Sequence, residues 1–326
     1  MTRSDYFSPL TFTGNRVATS TLSAPATRQA TFAKLDNSMI ETLSEYVAKT
    51  DCRTCDCSVG GIMMWADYFN YTYMIFRNTL FIKGVAENDL SKTAFSIPMG
   101  EMPLAESLQF IRSYCTARNI LPVLSAVSES DLEKINELTP CKALPLEDWG
   151  DYIYDIERMS TFSGKKMAKK RNHLNRFNAD HPDCEFVDIT PDNVHLCIDM
   201  LRGLEVGIDK PLTADYEREK TFEVLENLDR YPFEGIMAIV PGKGVAAFTL
   251  GEVVGDTLMA HIEKINHEIS GAGEAVSSKF CSIMRQRHPQ LRFVNREEDA
   301  GDPGLRKAKL AYQPSEIIKK YNVMLL

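Results

Sequence analysis

"EGIMAIVPGKGVAAFTLGEVVGDTLMAHIEKINHEISGAGEAV", residues 234–276, decides the fold. Within it, "EGIMAIV" (234–240), "VAAFTLGE" (245–252) and "TLMAHIEKI" (257–265) are β-rich runs. The glycine-bearing turns "PGKG" and "VVGD" separate them. Runs joined in this way predict a three-stranded antiparallel meander. A glycine loop follows, and then "EAVSSKFCSIMRQRH" (274–288), with apolar residues at helical spacing.

Working outward, "CEFVDIT" (184–190) alternates like a short strand. "PDNVHLCIDMLRGLEV" (191–206) and "ADYEREKTFEVLENLDRY" (214–231) have helical periodicity. Downstream, "LRFVN" (291–295) reads as a strand, "PGLRKAKLAY" (303–312) as a helix and "IIKKYNVMLL" (317–326) as a closing strand. The first half runs similarly. "SMIETLSEYVAKT" (38–50) is a helix, and "YTYMIF" (71–76), "TLFIKGV" (79–85) and "KTAFSIPM" (92–99) form a second meander. "LAESLQFIRSYCTARN" (104–119), "LPVLSAV" (121–127), "ESDLEKINELT" (129–139) and "YIYDIE" (152–157) follow as helix, strand, helix and extended run. No residue-level repeat is visible, yet the element order recurs. A chain of 326 residues is also longer than most single cores. The expectation is an α/β protein with mixed sheets in two copies of one unit. They span residues 1–155 and 181–326, with a connecting helix over 156–180.

That connector holds the main charge anomaly. "SGKKMAKKRNHLNRF" (163–177) carries six Lys/Arg and no acid, and without those six the chain has 31 Lys+Arg against 45 Asp+Glu. Overall acidity excludes a general nucleic-acid coat, so any anionic partner must be met locally. No apolar run approaches the ~20 residues of a membrane span. The opening "MTRSDYFSPLTFTGN" lacks the apolar core of a leader peptide, and the expected compartment is the cytoplasm. Eight cysteines fit a reducing compartment as free thiols. Cys52, Cys55 and Cys57 cluster in "CRTCDCS", but no second Cys/His pair at zinc spacing follows. They read as small apolar residues leading into "GGIMMWADYF" (60–69), and no metal is expected.

The element order resembles that of the GNAT acyltransferases. In that fold a glycine loop after the fourth strand, with the next helix N-terminus, holds the pyrophosphate of an acyl carrier. Here Gly271 and Gly273 have the right spacing, but Glu268 stands where Arg or Gln is usual and Glu274 opens the helix. Two carboxylates would repel a pyrophosphate, which disfavours coenzyme A. "DYIYDIERMSTFSGKKMAKKRNHLNRF" (151–177) and "NREEDAGDPGLRKAKLAYQP" (295–314) resemble a tandem-GNAT family similar to the C-terminal catalytic domain of lysylphosphatidylglycerol synthase. "FTLGE", "HIEK", "MMWADYF" and "IPMGE" match as well, so the resemblance covers nearly the whole chain. It implies aminoacyl transfer from aminoacyl-tRNA to an amine or hydroxyl acceptor, lipid headgroups among them. Fem-type transferases share that fold and donor. The membrane-embedded part of the full lipid-modifying enzyme has no counterpart in these residues. No cofactor and no obligate protein partner is implied. A coenzyme A-dependent N-acyltransferase and a catalytically silent binding protein are the alternatives.

Three groups of residues are the candidates for that chemistry. At ~100° per residue, Lys165, Lys166, Lys169, Lys170, His173 and Arg176 fall on one helical face, suited to tRNA phosphates or simply to solvent. Arg171 falls beside Met167 and is expected to face protein. On "LMAHIEKI", His261 and Glu263 are expected on one side by strand alternation, either of them able to take a proton from the attacking group. Lys264 is placed to stabilise an oxyanion. Glu297, Glu298 and Asp299 end a strand, where reactive residues gather in open α/β sheets. Arg306 and Lys309, three apart on the next helix, can bind substrate or pair back to those carboxylates and fix the loop.

Overall fold

A computed structural model describes residues 30–204 and 212–326. The leader-peptide reading and the end of the helix expected over 191–206 therefore lie outside the described residues. In chain order the elements begin with β1 (Ala33–Lys34), α1 (Ile40–Val47), α2 (Val59–Met64), β2 (Thr72–Phe76), β3 (Thr79–Ala86), β4 (Asp89–Phe95) and β5 (Met99–Gly100). Next are α3 (Leu104–Thr116), β6 (Val123–Ser128), α4 (Glu129–Leu138), β7 (Cys141–Pro145), β8 (Asp151–Asp155), α5 (Ile156–Thr161), α6 (Ala168–Asp180) and β9 (Glu185–Asp188). The chain closes with α7 (His195–Gly203), α8 (Leu212–Glu226), β10 (Glu234–Val240), β11 (Gly244–Val254), β12 (Thr257–Ile265), α9 (Ala272–Arg287), β13 (Phe293–Asn295), α10 (Pro303–Ala311), β14 (Glu316–Ile318) and β15 (Lys320–Leu325).

These elements form two compact units. Among the described residues, one takes 30–35, Phe69–Glu147 and Lys319–Leu326; the other takes Asp36–Tyr68, 148–204 and 212–318. The boundaries differ from those expected at 155 and 181. Helices α1 and α2 belong to the second unit although they come early, and the run read as "YIYDIE" is β8, inside the second sheet between β14 and β13. The single closing strand expected over 317–326 is broken. Its start, β14, pairs with β8 in the second sheet, while β15 lies between β6 and β7 in the first. Apolar periodicity shows that a segment needs a sheet to cover it, not which sheet.

Each unit contains the same motif. The first sheet runs β1-β2-β3-β4-β6-β15-β7, and the second β14-β8-β13-β12-β11-β10-β9. In both, an antiparallel meander leads through a helix to a strand parallel to the meander's last member: β4 with β6, and β12 with β13. Hairpin turns need positive φ. The first meander uses Arg77, Asn78 and Asn88 for this, the second Gly242, Gly244 and Gly255. Helix starts are capped locally: Ser128 accepts from the Asp131 N–H, Asp155 from Arg158, and Asp302, ahead of Pro303, from Leu305.

In both sheets the parallel pair parts almost at once. β4 and β6 meet only at Phe95 and Leu124, and β12 and β13 only over Thr257–Met259 and Phe293–Asn295. In the second unit the residues just beyond that parting are His261, Glu263, Lys264, Arg296 and Glu297.

Candidate functional site

Two ion pairs bridge the gap between β12 and β13, one on each face of the second sheet. On the face covered by α2, His261 lies between two carboxylates, with Nδ1 2.7 Å from Glu297 and Nε2 2.9 Å from Glu252. The Glu252 oxygens also accept the N–H groups of Gly60, at 2.6 Å, and Val59, at 3.2 Å. Phe233 stacks on the imidazole with centroids 5.3 Å apart. A Cβ on Gly60 would come within 2.5 Å of the ring, so only glycine permits this approach. Burial alone would strip the ring of its charge, but the hydrogen bonds to Glu252 and Glu297 outweigh it and lift the pKa to about 10. At neutral pH His261 is an imidazolium donating both N–H groups. In that form it has no lone pair with which to accept a proton, so the geometry favours a donor's part for the ring over that of the base.

The other bridge joins Glu263 to Arg296, at 2.8 Å. Arg296 lies over the Tyr312 ring, 4.5 Å from its centroid, on the face of the cluster that contains Tyr154, Tyr312, Ala260 and Ile265. His261 and Glu263 therefore do not share a side of the strand. A β-bulge explains the correction. Leu250 pairs with Ile262 and Gly251 with Ala260, so His261 is the extra residue and the alternation is interrupted there. A Cβ on Gly251 would sit 2.2 Å from the Met259 carbonyl oxygen, so glycine lets the strands close around the bulge. Lys264 is held by both oxygens of Glu217, at 2.6 and 2.7 Å. Glu217 belongs to α8, which packs against α2, so Lys264 shares the His261 face.

The loop after β13 is an internal network. Asp299 is buried and accepts from Tyr152 Oη at 2.6 Å, from Arg306 Nε at 2.9 Å and from the Gly301 N–H at 3.0 Å. Burial works against its charge, yet the Arg306 and Tyr152 hydrogen bonds hold its carboxyl below the usual carboxylate range. Arg306 also reaches Asp148 at 2.7 Å. Lys309 is buried and donates to the backbone carbonyls of Arg296, at 2.6 Å, and Glu298, and burial lowers its pKa. These contacts are those of loop anchors: Arg306 pairs back to Asp299, the arrangement the sequence offered beside a direct role, and Lys309 is held by backbone carbonyls.

Gly271 and Gly273 are needed for packing. Gly271 has φ +83° and caps α9, and a Cβ there would lie 2.5 Å from the His173 carbonyl oxygen of α6. Gly273 brings α9 against Ile265 of β12. Glu268 is exposed, whereas the Glu274 carboxylate sits in the first turn of α9 and takes Lys170 Nζ at 3.0 Å, with His173 at 3.4 Å. Burial alone would raise its carboxyl; Lys170 holds it below the ordinary range. The seat expected for a pyrophosphate is thus filled by the chain itself, with a carboxylate at the positive helix end and α6 against the loop.

The basic block divides accordingly. Lys170 leaves the expected exposed stripe for Glu274 and the Tyr312 ring, 3.8 Å from its centroid. Arg171 donates to the Phe162 and Gly164 carbonyls at 2.6 and 3.1 Å. Lys165, Lys166 and Lys169 are exposed, and among the described residues no carboxylate pairs with them. Arg176 is exposed and reaches Asp180 at 3.5 Å.

Sequence reasoning missed Glu252, Glu217 and Phe233. Glu252 had a signal, being a carboxylate in a strand whose other residues suit burial. Among the described residues, one set has the reach to ligate an ion: Cys55 Sγ with carboxylate oxygens of Asp56 and Asp151, all within 4.8 Å. Asp151 there accepts from the Cys55 N–H and from Asn295 Nδ2, both at 2.7 Å, and so ties the 52–58 turn to β8 and β13.

Meander, helix and splayed parallel strand, present twice, define a tandem GNAT-like protein. The family model of the phosphatidylglycerol lysyltransferase C-terminal domain matches residues 48–324, and the chain belongs to that family. A conserved protein of unknown function from Bacteroides thetaiotaomicron VPI-5482 is similar over 90% of this chain and 99% of its own, with 28% identity and a TM-score of 0.80. The L-PGS from Bacillus licheniformis is similar over 87% of this chain and 91% of its own, at 13% identity and a TM-score of 0.57, a likeness of fold. The uncharacterized protein MYCGA3080 of Mycoplasmoides gallisepticum is 23% identical over 179 residues, 54% of this chain and 56% of its own length. The match thus spans about half of that curated relative. No helix among the described residues is long and apolar enough to cross a membrane.

Proposed function

We propose that the protein is an aminoacyltransferase that takes an aminoacyl group from aminoacyl-tRNA and passes it to an amine or hydroxyl, a lipid headgroup being one such acceptor. The observation that carries this reading is the filled N-terminus of α9. With Glu274 and α6 occupying that seat, a coenzyme A pyrophosphate has no place in the second unit, and the alternative donor of this fold is favoured. The exposed Lys165, Lys166, Lys169 and Arg176 suit the phosphates of such a donor.

In this reading Glu297 replaces His261 and Glu263 as the proton acceptor. Glu263 is committed to Arg296, while among the described residues Glu297 has one oxygen on His261 and no hydrogen-bond partner on the other. The acceptor amine or hydroxyl attacks the ester carbonyl as Glu297 takes its proton. The tetrahedral intermediate then expels the tRNA 3′ oxygen, which receives that proton. No bond to the enzyme forms. Lys264, steadied by Glu217, supplies positive charge on the same face.

The test is binding of the purified protein to charged tRNA, uncharged tRNA and acetyl-CoA side by side. Preference for charged tRNA with no acetyl-CoA binding is expected. Tight acetyl-CoA binding would move the N-acyltransferase reading to first place.

A further inference from the structure

The bridge on the α2 face continues inward beyond any atom a substrate could touch. Side-chain exposure falls from 22% at Glu297 to 0% at His261 and 3% at Glu252. Glu252 is fixed by the His261 ring and two N–H groups of α2. A stability role would be complete with the Glu252–His261 pair alone, yet the second N–H of the ring goes to Glu297. Glu297 is constrained on its own account. Its φ is +57°, in the left-handed region that costs a non-glycine residue of order 1–3 kcal/mol, and its N–H is held by Asn295 Oδ1 at 2.6 Å. Backbone and carboxylate are thus pinned by different partners.

We infer that Glu252 is a positioning residue of the transfer site: acting through His261, it fixes one oxygen of Glu297 and leaves the other for the proton of the acceptor. The groups around the ring account for its state. Glu252 comes from β11, Glu297 follows β13, α2 offers only backbone, and Phe233 covers the ring face. Lys309, from α10, bears on Glu297 and Glu298 but is spent on backbone carbonyls. Without the charge of Glu252, nothing on the buried side holds the second proton on His261.

The inference rests on the role given to Glu297 above, so the experiment has two arms. The first follows the His261 nitrogens by NMR in the full chain labelled with 15N-histidine, one of six histidines. The parent should show an imidazolium at pH 7.5, Glu252→Gln a neutral ring, and Glu252→Asp an imidazolium again. A ring that titrates alike in parent and Glu252→Gln overturns the inference. Should Glu252→Gln fail to fold, Glu297→Gln serves, since it leaves Glu252 and α2 untouched. An Nδ1 signal identical to the parent's would then show that the ring does not hold Glu297. The second arm measures transfer from bulk charged tRNA to vesicles of phosphatidylglycerol and phosphatidylethanolamine. Glu252→Gln should lower kcat by roughly 10²-fold with KM for charged tRNA unchanged, and Glu252→Asp should recover part of it. An unchanged kcat overturns the inference. A parent that binds no charged tRNA and transfers nothing defeats the aminoacyl-transfer reading instead, and the NMR arm still decides whether Glu252 governs His261.

Discussion

The two units share a splayed sheet and fill the splay differently. Where β4 and β6 part, the side chains are Phe95 and Leu124, buried with Phe110, Ile111 and Val323 in an apolar cluster. Where β12 and β13 part, the gap holds His261, Glu263, Arg296 and Glu297 in two ion pairs. Apolar residues close such a gap at no desolvation cost, whereas buried ions must recover theirs through geometry. One architecture is used twice, with chemistry-bearing groups at one of the two openings, and that difference is why the proposed transfer is assigned to the second unit.

The largest effects should come from emptying each opening in turn. Glu252→Ala strips the ring of its buried-side partner and the Val59 and Gly60 N–H groups of their acceptor, leaving Glu297 as the one counter-charge, and should cost about 3–5 kcal/mol in chemical denaturation. Phe95→Ala, the matching change in the first unit, should cost a similar ~3–5 kcal/mol through the cavity it leaves. The two should separate with pH. His261 titrates at about 10 when folded, above its ordinary 6.5, so its stabilisation is complete below pH 6.5 and fades as pH rises through 10. The parent and Phe95→Ala should lose stability across that window, and Glu252→Ala much less. Equal slopes for all three would erase the distinction between the openings.

Smaller effects test the closed seat. Gly271→Ala should destabilise by about 1–3 kcal/mol, because its φ is +83° and the His173 carbonyl leaves no room for a methyl group. Glu274→Gln removes the internal carboxylate but not α6, so calorimetry should still detect no binding of acetyl-CoA. Binding by that variant would show that charge alone closes the seat.

The smallest change in stability is expected at the surface. Lys165, Lys169 and Arg176 reversed together to Glu should leave stability within about 0.5 kcal/mol, while weakening tRNA binding and flattening its salt dependence. Each phosphate contact contributes ~0.7–0.9 log units per log unit of salt. Arg171→Ala should do the reverse, lowering stability through lost carbonyl contacts and leaving the salt slope in place. Equal salt slopes for the triple variant and the parent would mean that the block is only a solvated face.

The sequence alone determined the meanders, the helices after them and the family motifs, because period-2 and period-3.6 patterns and glycine turns are local signals. It also marked His261, Glu263 and Lys264 near the end of one strand and Glu297 at the end of another. Only the tertiary structure decided how they are shared out. A one-residue bulge moved His261 and Glu263 to opposite faces, a carboxylate nine residues upstream claimed the imidazole, and Lys170 left its stripe for Glu274. The division of the last strand between two sheets was equally invisible, since β14 and β15 have patterns that either sheet could cover. Backbone periodicity is written within a few residues of each position, whereas the partner of a buried charge is set by whichever distant group can repay its desolvation.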